Sequence, residues 1–205
     1  MGRHTTASCK LCRREKEKLY LKGEKCGTEK CPFTRRSYGP GQHGKLPPRT
    51  SEYGIRLREK QKARRIYGLT ERQFEKYFDT ADRREGATGE KLLELLERRL
   101  DNVVFRLGFS PSRQGARQIV RNGGVLVNDR KTNIPSFEVK VGDVIRIIPK
   151  LEPLVKKQKD KMPDYMPPSW LSVTSEMEGK VNSIPGREEI DTLVAEHLIV
   201  EYYSR

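Results

Sequence analysis

Long apolar runs are missing from this 205-residue chain: no stretch approaches the roughly 18 consecutive apolar residues that cross a bilayer, and no membrane-spanning helix is expected. The opening residues, Met1-Gly2-Arg3-His4-Thr5, lack the apolar core of a secretion signal. Glu15 and Glu17 argue against an acid-poor transit peptide, so a cytoplasmic location is expected. Histidine occurs three times and tryptophan once. No Walker A lysine loop, no Gly-x-Ser-x-Gly elbow and no His-Glu-x-x-His pair is present, and no enzyme is expected. Apolar residues make up 34%. Even with glycine added, that falls short of the ~45–50% of an ordinary globular domain. The cores should be small, or parts of the chain should lean on a partner.

What the sequence has in quantity is positive charge: 42 Lys and Arg oppose 28 Asp and Glu, for a formal net charge of +14. The excess is uneven. Residues 1–50 carry 13 basic against 4 acidic side chains, 51–100 carry 13 against 10, 101–150 carry 9 against 4, and 151–205 carry 7 against 10. A basic excess gathered in particular segments sets up a positive potential that draws polyanions. The acidic last block should serve something else.

All four cysteines fall in the first 31 residues, as Cys9-x2-Cys12 and Cys26-x4-Cys31. Two short-spaced pairs can close a tetrahedral thiolate shell, and in a cytosolic chain disulfides are not expected. A redox C-x-x-C is a poorer fit, because no βαβ pattern surrounds it. Zn2+ is the first candidate and a [4Fe-4S] cluster on the same four cysteines the alternative. Lys10, Arg13, Arg14, Lys25 and Lys30 stand nearby and are expected to lower the thiol pKa values.

Gly39-Pro40-Gly41-Gln42-His43-Gly44 satisfies the G-x-G-x-x-G formula of a dinucleotide-binding turn, but in the wrong setting. No strand precedes it, and Pro47-Pro48 follow where the helix should start. A loop displaying Arg35, Arg36, Tyr38, Gln42 and His43 toward a partner is the better reading, since glycine lets backbone N–H groups approach phosphate and the rings can stack.

A basic helix is expected from Ser51 to Tyr67, and Thr70-Glu71-Arg72-Gln73 reads as a capping box that opens a second helix with Phe74, Tyr77 and Phe78 on its apolar stripe. Thr88 to Gly108 reads as one long helix burying Leu92, Leu93, Leu96, Leu100, Val103 and Leu107, with Arg99, Asn102 and Arg106 sharing a polar face. Ser112 caps a further helix carrying Arg113, Arg117 and Arg121, and the two together should present one arginine-rich surface. Val125–Val127, a turn at Asn128-Asp129, and a strand pair around Gly142-Asp143 complete a small sheet.

The stretch from Leu95 through Arg98-Arg99-Leu100-Asp101-Asn102-Val103-Val104-Phe105-Arg106 to Val127-Asn128 resembles the RNA-binding module called the S-four domain. Arg36-Ser37-Tyr38-Gly39-Pro40-Gly41-Gln42-His43-Gly44, Tyr53-Gly54-Ile55-Arg56-Leu57-Arg58-Glu59-Lys60-Gln61-Lys62 and the ending Leu198–Arg205 are similar to the fourth small-subunit ribosomal protein family of bacteria, in its cysteine-containing version. That resemblance implies a primary binder of small-subunit ribosomal RNA that nucleates assembly. It further implies contact with the fifth small-subunit protein, nearness to the path by which messenger RNA enters, and an influence on translational accuracy. The segment 150–166, rich in Lys and Pro, is the least typical.

The expected fold is α+β, with three parts: a metal-stapled knuckle and basic Gly/Pro loop (1–45), a mostly helical domain (46–92 plus 155–205), and an inserted α/β S-four module (93–154). RNA contact is assigned to Arg3, Arg13, Arg35, Arg36, Tyr38, Gln42, His43, Arg49, Tyr53, Arg56, Arg58, Lys60, Lys62 and Arg65, and in the module to Arg99, Asn102, Arg106, Ser112, Arg113, Gln114, Arg117, Arg121 and Asn122. The resemblance places a protein-facing surface at the returning end, at Glu196, Glu201, Tyr202, Tyr203 and Arg205. Two rivals differ in class. An RNA-modifying enzyme would need a catalytic domain for which the chain has no room, and a zinc-dependent DNA-binding regulator would concentrate its charge at one major groove.

Overall fold

A computed structural model of the chain describes residues 7–46, 50–162 and 165–204. The expected contacts at Arg3, Arg49 and Arg205 lie outside the described residues. The chain divides into two compact units, Met1–Leu92 with Thr192–Arg205, and Leu93–Asp191. Among the described residues, no helix is long and apolar enough to cross a membrane.

The first unit begins with three short helices, α1 (Ser8–Glu15), α2 (Glu24–Gly27) and α3 (Pro32–Arg35). Cys12, Leu19 and Leu21 form a small core there, with Leu11, Phe33 and Ile66 against it. Helix α4 (Glu52–Ile66) starts where Ser51 offers its hydroxyl to the Gly54 N–H at 3.2 Å. Thr70 stands at the N-cap of α5 (Glu71–Asp82) but makes no backbone cap, its hydroxyl bonding the Gln73 side chain instead at 3.4 Å. Phe74, Phe78 and Ala81 are the buried stripe of α5. The capping-box spelling therefore marks the helix start without its bond.

One expected long helix is two. Helix α6 (Thr88–Glu97) stops, and α7 (Leu100–Arg106) restarts after Arg98 and Arg99. Arg99 is extended and bridges Glu138, while the Leu100 and Asp101 N–H groups donate to the carbonyls of Phe137 and Pro135, at 2.8 and 3.2 Å. Those donors are spent outside the helix, and the i→i−4 ladder is cut. Helix α8 (Arg113–Arg121) follows, capped by the Ser112 hydroxyl on the Gly115 N–H.

Five antiparallel strands form one sheet in the order β2-β1-β3-β5-β4: β1 (Val125–Val127), β2 (Arg130–Thr132), β3 (Val144–Ile147), β4 (Leu171–Ser175) and β5 (Glu178–Val181). Asn128 and Asp129 both adopt positive φ, 49° and 62°, the two-residue turn whose twist matches a hairpin. The second expected hairpin is absent. Val139 donates to the Arg98 carbonyl, and Gly142-Asp143 exchange hydrogen bonds with Val181 at the end of β5, leaving residues 139–141 without a strand partner.

A larger correction concerns residues 155–191, which were expected in the helical domain. Helix α9 (Glu152–Lys159) buries Val155, and Trp170, Leu171 and Val181 complete a core whose other members come mainly from α7, α8 and the sheet, with Phe109 and Val139 added from loops. Strand β5 pairs with β3, and at Gly179 an added Cβ would lie 2.4 Å from a Leu107 methyl, so α7 rests directly on the β5 backbone. Only Thr192–Arg205 returns to the first unit. There, α10 (Glu196–Tyr203) packs along α4, burying Ile199.

Trp170 is fully buried. Trp170→Ala is expected to cost the second unit about 3–5 kcal/mol. Urea titration followed by hydrogen exchange should show residues 93–191 losing protection together, with helix α4 spared.

Candidate nucleic-acid interface

Helix α1 places Cys9 and Cys12 one turn apart, α2 carries Cys26, and Cys31 occupies the N-cap position of α3. All four are free thiols, and with Ser8, Leu21, Lys22 and Phe33 they line one small cavity. The Lys22 N–H points at the Cys26 sulfur, 3.4 Å away. Burial pushes the Cys12 and Cys26 thiols up, and the neighbouring thiols add to it, so the expected lowering by nearby lysines and arginines does not hold for these two. At Cys31 burial pushes upward too, but the N–H groups of Phe33 and Thr34, with Lys18, outweigh it and bring this thiol below its ordinary value. Among the described residues, no three His, Cys, Asp or Glu side chains are drawn together tightly enough to hold a metal.

Beyond the knuckle the glycine loop follows a helical turn, and among the described residues no strand precedes it. Arg35, Arg36, Gln42 and His43 are exposed, whereas Tyr38 is half-buried. An added Cβ at Gly44 would lie 1.9 Å from the Gly39 carbonyl oxygen, so the two arms of the loop touch backbone to backbone.

Most of the basic helix is neutralised from within. Arg56 meets Glu201 at 2.6 Å and Glu52 at 3.4 Å. Arg58 and Arg65 share the buried Glu15, Lys62 bridges Glu17 and Glu59, and Lys60 pairs with Glu71 beneath the Tyr202 ring, 4.2 Å from its centroid. Lys60 is buried, which corrects its assignment as an RNA contact. Tyr53 remains half-exposed, its hydroxyl 3.5 Å from that of Tyr202.

The arginine face is corrected more strongly. Glu97 is 0% and Arg99 2% exposed, and Asp101, Asn102 and Arg106 are buried with them. Arg99 holds Asp101 through two bonds of 3.1 and 2.9 Å, and Arg117 adds a third at 2.7 Å. Arg106 holds Glu97 through two more, 2.9 and 3.0 Å. Asn102 donates to the same carboxylate at 2.7 Å and accepts from Arg113, also at 2.7 Å. Burial opposes the Arg106 charge, but Glu97 and Asp191 outweigh it and raise its pKa further. Asp191 is likewise pushed up by burial, yet Arg106 holds its carboxyl below the ordinary range. The stabilisation from that contact is complete above the unfolded carboxylate range and fades as pH falls through the depressed folded value.

Arg99, Asn102 and Arg106 are therefore internal scaffolding, and Ser112 spends its oxygen on the helix cap. Gln114, Arg121 and Asn122 are exposed as expected. Arg130 and Lys131, not assigned from the sequence, are both exposed on β2, and the Lys131 side chain lies against Gly123 just beyond the end of α8. Only the hairpin register brings them there.

The expected protein-facing end is also largely engaged. Glu196 covers Gly89, Glu201 pairs with Arg56, and Tyr203 stacks on Phe78 at 4.3 Å with its hydroxyl toward Glu71. Burial and the Glu71 carboxylate push the Tyr203 phenol well up.

The chain matches two family models, "Ribosomal protein S4/S9 N-terminal domain" over residues 3–97 and "S4 domain" over residues 98–145. The boundary between them falls at the break between α6 and α7. Relatives named "Small ribosomal subunit protein uS4" align over 100% of both chains, at 54% identity in Pelotomaculum thermopropionicum, 55% in Heliobacterium modesticaldum and 54% in Acetivibrio thermocellus.

Glu97→Ala removes the buried carboxylate that Arg106 and Asn102 share, leaving Arg106 only Asp191, and is expected to cost about 3–5 kcal/mol. Arg121→Ala, at an exposed position, should change stability by less than about 0.5 kcal/mol. Urea denaturation of both variants compares the two directly.

Proposed function

This chain belongs to the uS4 family of small ribosomal subunit proteins, and from that membership we propose that it is a structural, non-enzymatic constituent of the small subunit that binds its ribosomal RNA in the cytoplasm. The observation that carries the reading is full-length similarity to proteins of that name, joined to the basic side chains that stay exposed after internal pairing. Two groups of exposed side chains enter this reading: Arg35, Arg36, Gln42 and His43 in and before the glycine loop, and Gln114, Arg121, Asn122, Arg130 and Lys131 along α8 and the first hairpin. Cations there neutralise phosphates and release counterions, while the loop backbone and His43 adapt to folded RNA shape. Early binding to a multi-helix junction, contact with the fifth small-subunit protein and an influence on decoding accuracy extend the same reading. For the protein contact, the exposed flank of α10 at His197 is the part offered, with Glu201 exposed beside it while paired to Arg56.

In this proposal the four cysteines close on a metal from the looser arrangement described above, with zinc preferred and an iron–sulfur cluster the alternative. Four thiols around one cavity, without a carboxylate or imidazole in its lining, suit a soft cation. Such an ion would cross-link α1, α2 and the start of α3, where the apolar core is only a few residues. Cys12→Ser is expected to abolish stoichiometric metal in protein purified without oxygen. Elemental analysis with an absorbance spectrum separates zinc from iron, and absence of both in the unaltered protein refutes the site.

For RNA, filter binding should compare small-subunit ribosomal RNA, unrelated structured RNA and duplex DNA across salt concentrations. Preference for the first is expected at every salt, and equal affinity for all three removes the specific reading. Arg121→Ala should weaken binding and lower the slope of log K against log salt by roughly 1.

A further inference from the structure

Arg13 is exceptional among the basic residues of the knuckle, because its side chain is spent on one neighbouring loop. Its Nε donates to the Tyr38 carbonyl at 3.0 Å and an Nη donates to the Gly39 carbonyl at 3.2 Å. The same guanidinium lies over the Tyr38 ring, 5.1 Å from the centroid, and Lys45 from the far end of the loop approaches that ring at 5.5 Å. Two successive carbonyls and one aromatic face are thus read by a single planar fork, a task an ammonium group cannot perform.

We propose that Arg13 is a positioning residue that fixes the 38–45 loop in the form in which it meets RNA, and that it is not itself a phosphate ligand. The proposal rests on the RNA-binding reading above. Three glycines leave the loop backbone little stiffness of its own. Among the described residues, the loop's own backbone bonds are local, from the Gly44 N–H to the Gly41 carbonyl at 3.3 Å and from the Leu46 N–H to the His43 carbonyl at 3.1 Å. An anchor from outside is what holds its first arm, and the ring of Tyr38 carries that hold across to Lys45. With the loop held before RNA arrives, less ordering entropy is lost on binding.

The anchor stands on α1, one residue beyond Cys12 and two before Glu15, the buried carboxylate that Arg58 and Arg65 share. An eight-residue helix without a side-chain N-cap is too short to persist alone, so α1 depends on its cysteines and on Glu15 for its place. Loop order is thereby tied to the integrity of the cysteine knuckle, and Gln42 and His43 are presented from a fixed base.

Hydrogen exchange and trypsin cleavage at Lys45, both on the full-length protein without RNA, test the inference in wild type, Arg13→Ala, Arg13→Lys and Tyr38→Leu. Amides 39–46 are expected to exchange at least about threefold faster in both Arg13 variants, with faster cleavage at Lys45 and no change across residues 100–127. Tyr38→Leu should give a smaller rise, since it keeps both carbonyl contacts. RNA filter binding then compares the two Arg13 variants. Loss of affinity in both supports positioning. Full rescue by Arg13→Lys, or loop exchange and cleavage unchanged in both, overturns it. Because loop order is read without RNA, a wild-type protein that fails to select ribosomal RNA defeats the functional reading without deciding the fate of this one.

Discussion

The second unit is organised around a carboxylate that has no contact with water. Glu97 ends α6 fully buried, and two nitrogens of Arg106 and the amide of Asn102 close on its oxygens. One turn on, Asp101 does the same for Arg99 and Arg117. Neither acid could be ionised there alone, and neither group of arginines could be buried without the acids. Their mutual satisfaction braces the two sides of the break between α6 and α7 and sets α8 against α7, because Arg113 and Arg117 reach from α8 to partners at the start of α7. The apolar core of α7, α8 and the sheet packs on the other side of this arrangement.

Charge in this protein therefore has two employments that its total does not separate. Lys60 beneath Tyr202, Arg58 and Arg65 on Glu15, and Arg99 and Arg106 on their acids serve the fold. Arg35, Arg36, Arg121, Arg130 and Lys131 remain at the surface. The polyanion-attracting potential comes from exposed cations such as these; internal pairing cancels one charge of each sign, so it leaves the net +14 unchanged and decides where the potential stands. The first set limits what the surface can become, since each buried cation must keep its acid.

Local signals were legible wherever a bond closes within a few residues. Ser51 and Ser112 cap the helices they were expected to cap, and Asn128-Asp129 turns the first hairpin. The buried face of α5 at Phe74 and Phe78 follows the apolar spacing of the sequence, whereas α7 is buried nearly all round, polar residues included. Spacing misled between residues 97 and 106, where the period of a continuous helix runs on through Arg98 and Arg99. The interruption comes from residues 135–139, far along the chain, which take up the backbone donors of residues 100 and 101. The same limit explains residues 155–191. Short strands carrying Gly179 and a lone Trp170 carry no periodic signal, and their place is set by pairing with β3 and by the gap they fill under α7.

By itself, the sequence determined the chemical class of the protein. Clustered cations, four cysteines in two short-spaced pairs, a glycine loop unsuited to dinucleotides and the absence of catalytic motifs all follow from residue type and local spacing. Which cations face outward was decided only by the tertiary structure. Many of these pairings join partners far apart in sequence, 11 positions for Lys60 and Glu71, 50 for Arg65 and Glu15, and 145 for Arg56 and Glu201. A periodic arginine looks the same in sequence whether its partner is a phosphate or a buried carboxylate.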